Sequence, residues 1–170
     1  IITCNIYSMY NGLGEALRHA AFQVGSIITT TGFATVDFNL WPTIPKTILV
    51  LLMFIGACAG STGGGIKVSR IVILAKSVKK ELKQYLHPHS ISKIKMDGKP
   101  VEHEVVRSIN VFLIAYLLIY AVSMLIVSLD NFDFTTTFTS VAATINNIGP
   151  GLDLVGPAAN FGILSVPSKL

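Results

Sequence analysis

Leu13 to Ile28 is apolar and compatible with helix, yet it amounts to only roughly four turns. That is below the ~20 apolar residues a helix needs to cross a bilayer. It runs directly into Thr29-Thr30-Thr31-Gly32-Phe33, an irregular stretch follows to Trp41, and a long apolar segment comes next. Short helix, glycine-containing loop and spanning helix in this order describe a re-entrant unit. Bare backbone at membrane depth is tolerated only where it lines a polar cavity or is buried in protein. Each carbonyl left unpaired in hydrocarbon would cost roughly 2–7 kcal/mol, and a dehydrated cation can replace the missing donors. The plainer alternative is an ordinary helix-ending turn with Gly32 just past the C-cap.

The same plan returns further along. Thr135 to Ile145 is a second short apolar helix candidate, and it ends in Asn146-Asn147-Ile148-Gly149-Pro150-Gly151. Gly32 and Gly149 are 117 residues apart, and at that offset Val24 falls on Val141 and Ile28 on Ile145. Identities are sparse, so the repeat is one of architecture. Two such units favour the re-entrant plan over two coincidental turns.

Between the units, Ile44 to Leu74 is apolar at both ends and interrupted by Gly60-Ser61-Thr62-Gly63-Gly64-Gly65. It exceeds a single span, and consecutive glycines cost up to ~1 kcal/mol each in a helix. The expectation is one spanning element broken by a small-residue loop at membrane depth, with Gly56 and Gly60 allowing close helix packing. Ile109 to Leu129 is a clear transmembrane helix of 21 residues. Only 13% of residues are charged, about half the usual share in soluble domains. Ten of the thirteen basic residues fall between Lys67 and Arg107. The positive-inside rule makes that block cytoplasmic, and topology accounts for it better than nucleic-acid binding does. Both short helices then enter from the outer face, with C-terminal ends aimed at the membrane interior. Each would place roughly −0.5 charge there, favouring a cation.

The middle block also carries Ile91 to Val101, which alternates apolar and polar around Asp97-Gly98 as a hairpin does. Gly60 to Lys67 resembles a phosphate loop, but Ile66 separates the glycines from Lys67 and Val68 follows it. Paired carboxylates, Ser/His/Asp and Cys/His constellations are not visible, so an enzyme is not expected. Cys4 and Cys58 form no disulfide framework. Position 1 is not Met and the second unit has no closing helix, so a longer protein is expected to contain this sequence.

Thr30-Thr31-Gly32-Phe33, Ala57-Cys58-Ala59-Gly60-Ser61-Thr62-Gly63-Gly64-Gly65-Ile66-Lys67-Val68 and Asn146 to Gly151 together resemble the Trk/Ktr/HKT potassium transporter superfamily. Essentially the whole chain takes part, as the third and fourth of the family's four helix–pore loop–helix repeats. The implied fold is an all-α integral membrane protein of such repeats, here about one and a half of four. Residues 1–75 would be the third-repeat pore helix, filter loop and broken transmembrane helix. Residues 76–107 would be a basic cytoplasmic linker, and 108–170 the fourth-repeat helix, pore helix and filter loop.

The resemblance implies potassium uptake across a bacterial inner membrane, with K⁺ the transported ion and no cofactor. The filter would be backbone carbonyls at Thr30, Thr31 and Gly32, and at Asn147, Ile148 and Gly149. Ala57 to Gly65, that is Ala57, Cys58, Ala59, Gly60, Ser61, Thr62, Gly63, Gly64 and Gly65, would be a gating loop below it. Lys67, just beyond, would repel K⁺ on the cytosolic side. A homodimer and a cytosolic nucleotide-binding regulatory subunit are implied, alongside lipid and the remaining repeats, with no nucleic acid. Two rivals stay open: a secondary transporter of another solute with discontinuous helices, and a membrane scaffold subunit.

Overall fold

The computed structural model describes residues 1–87, 94–96 and 98–169. A short helix α1, Ile2–Ile6, leads through a 3-10 turn to α2, Leu13–Ile28. The Glu15 carboxylate reaches back to accept from the Asn11 N–H at 3.1 Å, which fixes the start of α2. Ala16, Ala20, Gln23 and Ile27 form its buried stripe, the spacing of one helix face. After a second 3-10 turn, α3 runs Thr43–Phe54. Trp41 is buried there and donates its indole N–H to the Tyr10 hydroxyl at 2.9 Å.

The break after α3 comes earlier than the glycine run. Ile55–Gly56 leaves the helix as strand β1 and pairs in parallel with β2, Ile66–Lys67. This two-rung ladder closes the neck of the loop 57–65 and gives its backbone partners that a simple helix break would lack. The role expected for Gly56 is corrected accordingly. A Cβ there would lie 2.2 Å from the Gly64 carbonyl oxygen, so Gly56 lets the two sides of the neck touch. A Cβ added at Gly60 would meet nothing within 4 Å among the described residues.

Helix α4 runs Val68–Leu86 and continues through residue 76. The described part of the middle block carries a minimal hairpin, β3 (Lys95–Met96) with β4 (Lys99–Pro100). Gly98 sits at φ +79, as the turn requires. Asp97 and residues 88–93 of the expected hairpin region lie outside the described residues.

Helix α5, His103–Ser128, starts six residues before Ile109. Residues His103–Ser108 carry His103, Glu104, Arg107 and Ser108, so an apolar pattern alone places the start at Ile109. Its 26 residues cover about 39 Å. Among the described residues it is the one helix long and apolar enough to cross a membrane. Its buried stripe is Ile109, Tyr116, Tyr120 and Val127, while Val111, Ile114, Leu118 and Leu125 point away from the core. The expected divisions at 75/76 and 107/108 thus pass through α4 and α5.

Helix α6, Phe134–Ile145, is capped by the Asp133 carboxylate, which accepts from the Thr135 N–H at 2.9 Å. Phe54, Tyr120 and Phe138 hold α3, α5 and α6 together, with ring centroids 5.4–5.9 Å apart. The end of the chain passes through two 3-10 turns to α7, Val166–Lys169. The Ser165 hydroxyl and N–H bond the Asp130 carboxylate and hold it below its ordinary range, tying this segment to the end of α5.

Candidate functional site

α2 and α6 end in the same backbone motif. At the end of α2, the Thr31 N–H donates to the Ser26 carbonyl at 2.9 Å and the Thr30 N–H to the Ile27 carbonyl at 3.1 Å. At the end of α6, the Ile148 N–H donates to the Ala143 carbonyl at 2.8 Å and the Asn147 N–H to the Thr144 carbonyl at 3.0 Å. Both are Schellman caps. The left-handed residue is Thr30 at φ 55 in one and Asn147 at φ 53 in the other. Gly32 at φ 78 and Gly149 at φ 112 follow two positions later. The 117-residue repeat is therefore written in dihedral angles more clearly than in letters. The alternative placing of Gly32 as the residue after the C-cap is corrected: Thr30 holds that position. A β-branched residue there is unusual and strained by about 1–3 kcal/mol.

Past the caps, the two loops meet. A Cβ on Gly32 would lie 2.1 Å from the Ile148 carbonyl oxygen, and one on Gly149 would lie 3.8 Å from the Gly32 Cα. Ser26 steadies the first loop by donating to the Phe33 carbonyl at 2.6 Å. Outside the loops, Asn39 clamps the units together. Its Nδ2 donates to the Asp153 carbonyl at 3.1 Å, and its Oδ1 accepts from the Asp153 N–H at 2.9 Å. Among the described residues, no hydrogen bond ends on the carbonyl oxygens of Thr30, Thr31, Gly32, Asn147, Ile148 or Gly149. These carbonyls, which accept no donor among the described residues, lie just past the C-terminal ends of α2 and α6, where a helix carries partial negative charge.

The loop 57–65 packs against both helix ends. The Gly64 N–H donates to Thr30 Oγ1 at 3.2 Å. A Cβ on Gly64 would lie only 1.8 Å from the Asn146 carbonyl oxygen. Gly63 faces Thr29 and Thr30. Ala57, Cys58, Ala59, Gly60, Ser61 and Thr62 form the rest of the loop, and the Ser61 hydroxyl turns back to donate to the Cys58 carbonyl at 2.8 Å. Lys67 holds the loop through its ammonium group. Its Nζ donates to the Ser61 carbonyl at 2.9 Å, the Ser61 hydroxyl at 3.0 Å and the Gly63 carbonyl. Lys67→Met removes these charge-assisted bonds, so amide hydrogen exchange across 57–65 is expected to quicken about tenfold. Unchanged exchange would show that the ladder and helix ends alone hold the loop.

Two supporting residues escape a sequence reading. Asn146 is fully buried, accepts from the Tyr116 hydroxyl at 2.9 Å and donates to the Ala142 carbonyl at 2.8 Å. An Asn-Asn pair signals a turn, but nothing in the letters says which Asn turns inward. Tyr116→Phe leaves Asn146 Oδ1 without its donor, for an expected loss of about 1–3 kcal/mol. Thermal unfolding of the full-length protein measures it, and an unchanged midpoint would make the bond dispensable.

Known proteins match this chain over nearly its whole length. The TrkH family model, described as a cation transport protein, matches residues 6–165. The Trk system potassium uptake protein TrkH of Salmonella typhimurium is 38% identical over 99% of this chain, which covers 35% of that protein. Its counterpart in Vibrio parahaemolyticus is 41% identical over 94% of this chain and 33% of its own length. The crystal structure of the potassium transporter TrkH from Vibrio parahaemolyticus superposes with a TM-score of 0.86 at 39% identity, covering 99% of this chain and 36% of that one. This sequence thus spans about a third of the relatives it matches. The fold is that of a helical membrane transporter, present as part of its repeats. A match over nearly every residue, in sequence and in backbone, places the chain in the TrkH family of cation transport proteins.

Proposed function

We propose that this chain forms two of the filter segments of a potassium-uptake protein, with Ala57 to Gly65 as a movable barrier beneath them. The observation that carries the proposal is that the carbonyls of Thr30, Thr31, Gly32, Asn147, Ile148 and Gly149 accept no hydrogen bond among the described residues. They would replace part of the hydration shell of K⁺. The names of the relatives support potassium as the ion. The barrier reading draws on the contact of Gly64 with both helix ends. Barrier movement needs a second arrangement of similar energy. Ligands of that kind bind and release an ion without chemistry, which fits a permeation protein.

The described residues of the expected cytoplasmic face, 76–107, belong to α4, the hairpin and the start of α5 and include Lys76, Lys79, Lys80, Lys83, Lys95, Lys99 and Arg107. Lys76 donates to the Lys95 carbonyl at 2.7 Å there. Such a basic stretch suits the inner side of a bacterial inner membrane and docking of a cytosolic nucleotide-binding regulatory subunit on a homodimer. The test is radioactive rubidium uptake into proteoliposomes holding the full-length protein. Uptake should be blocked by external K⁺ and only weakly by Na⁺. Absence of cation flux, or saturable uptake of an organic solute instead, would overturn the proposal.

A further inference from the structure

We propose that the Thr30 hydroxyl is a latch between the ion filter and the glycine-rich loop, so that K⁺ in the filter changes how firmly the loop is held. The inference rests on the filter and barrier assignments above and adds the residue that couples them.

Thr30 is an odd choice for its position. Both short helices need a left-handed residue at the cap, and Asn147 supplies one that tolerates φ 53. Thr30 adopts φ 55 with two heavy atoms on its Cβ, which is sterically costlier. What Thr30 brings is an acceptor at a fixed place: Oγ1 takes the Gly64 N–H at 3.2 Å. Among the described residues this is the one hydrogen bond joining either filter segment to the loop 57–65. The remaining restraints on the loop are of other kinds. Lys67 bonds it from its own C-terminal side, the β1–β2 ladder closes its neck, and Asn146 meets Gly64 by packing.

One residue therefore carries a filter carbonyl and the loop's acceptor. A cation drawn to the Thr30 carbonyl acts on the same strained backbone unit that sets where Oγ1 points. Strained units in tightly packed surroundings switch between discrete arrangements rather than bend gradually. Linkage then works both ways. If bound K⁺ shifts the loop equilibrium by some factor, displacing the loop shifts K⁺ affinity by that factor.

Cys58 is exposed on the loop and reports on it directly. The experiment uses the full-length protein in proteoliposomes, with every other cysteine replaced. A charged thiol reagent is added on the cytosolic side, with K⁺ or an impermeant organic cation as the salt. In the wild type the Cys58 modification rate should change several-fold with K⁺. Thr30→Val keeps the shape but removes the acceptor, and Thr30→Ala removes the acceptor with no bulk to misfit. Both should lose the K⁺ dependence, and partner-independent rubidium uptake should rise about fivefold. Thr30→Ser keeps the acceptor and should restore wild-type behaviour. A K⁺ dependence that survives in Thr30→Ala, or is missing in the wild type, overturns the latch. Wild-type rubidium uptake is scored separately, so failure of the latch is distinguishable from failure of the transport assignment.

Discussion

Gly64→Ala is expected to raise rubidium uptake in the absence of any cytosolic partner by about tenfold, while Gly63→Ala leaves uptake near wild type. The two glycines are neighbours in a run of three, and the sequence treats them alike. Their surroundings do not. A Cβ on Gly63 would lie 3.4 Å from Thr30 Oγ1 and 3.5 Å from the Ala57 Cβ, which is ordinary contact. A Cβ on Gly64 would lie 1.8 Å from the Asn146 carbonyl oxygen and 2.5 Å from its carbon. That carbonyl belongs to a buried residue held by Tyr116 and Ala142, so the helix end resists movement. The loop gives way instead, and the Thr30 bond to Gly64 is lost with it. A second variant, deletion of Ala59 to Gly63, reaches the same displaced state by shortening the loop. Low, fully partner-dependent uptake in both variants would mean that the loop is a static helix break.

The helical plan was legible because membrane burial leaves a strong signature. Leu13–Ile28 is found with its expected bounds, and α6 differs from expectation by one residue at its start. Both signals are periodic and apolar, with polar punctuation at each end. The long-range devices were not legible. Pairing of Ile55 with Ile66 makes the helix break into a closed-neck loop, but neither residue carries a local signal for a two-residue ladder. A β-branched run in an apolar stretch looks the same as helix.

At the candidate site, the glycines pointed to the loops that follow α2 and α6 but not to their geometry. A run such as Thr29-Thr30-Thr31-Gly32 suggests that Gly32 takes the left-handed cap, since glycine does so without strain. Instead Thr30 takes it, because six-to-one and five-to-two hydrogen bonds at the helix end count back from Ser26 and Ile27. Gly32 is reserved for a different demand, the close approach of the second loop. That demand comes from a residue 116 positions away, Ile148, and no local pattern could announce it. Lys67 is similar. Its charge was visible, while its three acceptors at Ser61 and Gly63 depend on the loop doubling back.

Gly32 and Gly149 occupy equivalent places in the repeat, yet Gly32→Ala is expected to be far more damaging than Gly149→Ala. Both have positive φ, at 78 and 112, so any side chain is strained by about 1–3 kcal/mol. For Gly149 that is the whole cost, since the nearest atom to a new Cβ is the Gly32 Cα at 3.8 Å. For Gly32 the Cβ also meets the Ile148 carbonyl oxygen at 2.1 Å and the Pro150 Cδ at 3.3 Å. Overpacking against backbone adds roughly another 1–3 kcal/mol. The steric term also falls on a carbonyl proposed to bind the ion, so a change in the first loop displaces a ligand in the second. Gly32→Ala should therefore lower the unfolding midpoint more than Gly149→Ala. It should also let Na⁺ compete with rubidium about tenfold better, consistent with a penalty near 1.4 kcal/mol at the filter. Gly149→Ala should shift competition only a few-fold. Thermal unfolding and rubidium uptake against K⁺ and Na⁺ measure both effects in the full-length protein. Equal damage from the two variants, or the reverse order, would mean that Gly32 does not press on Ile148 in the working filter.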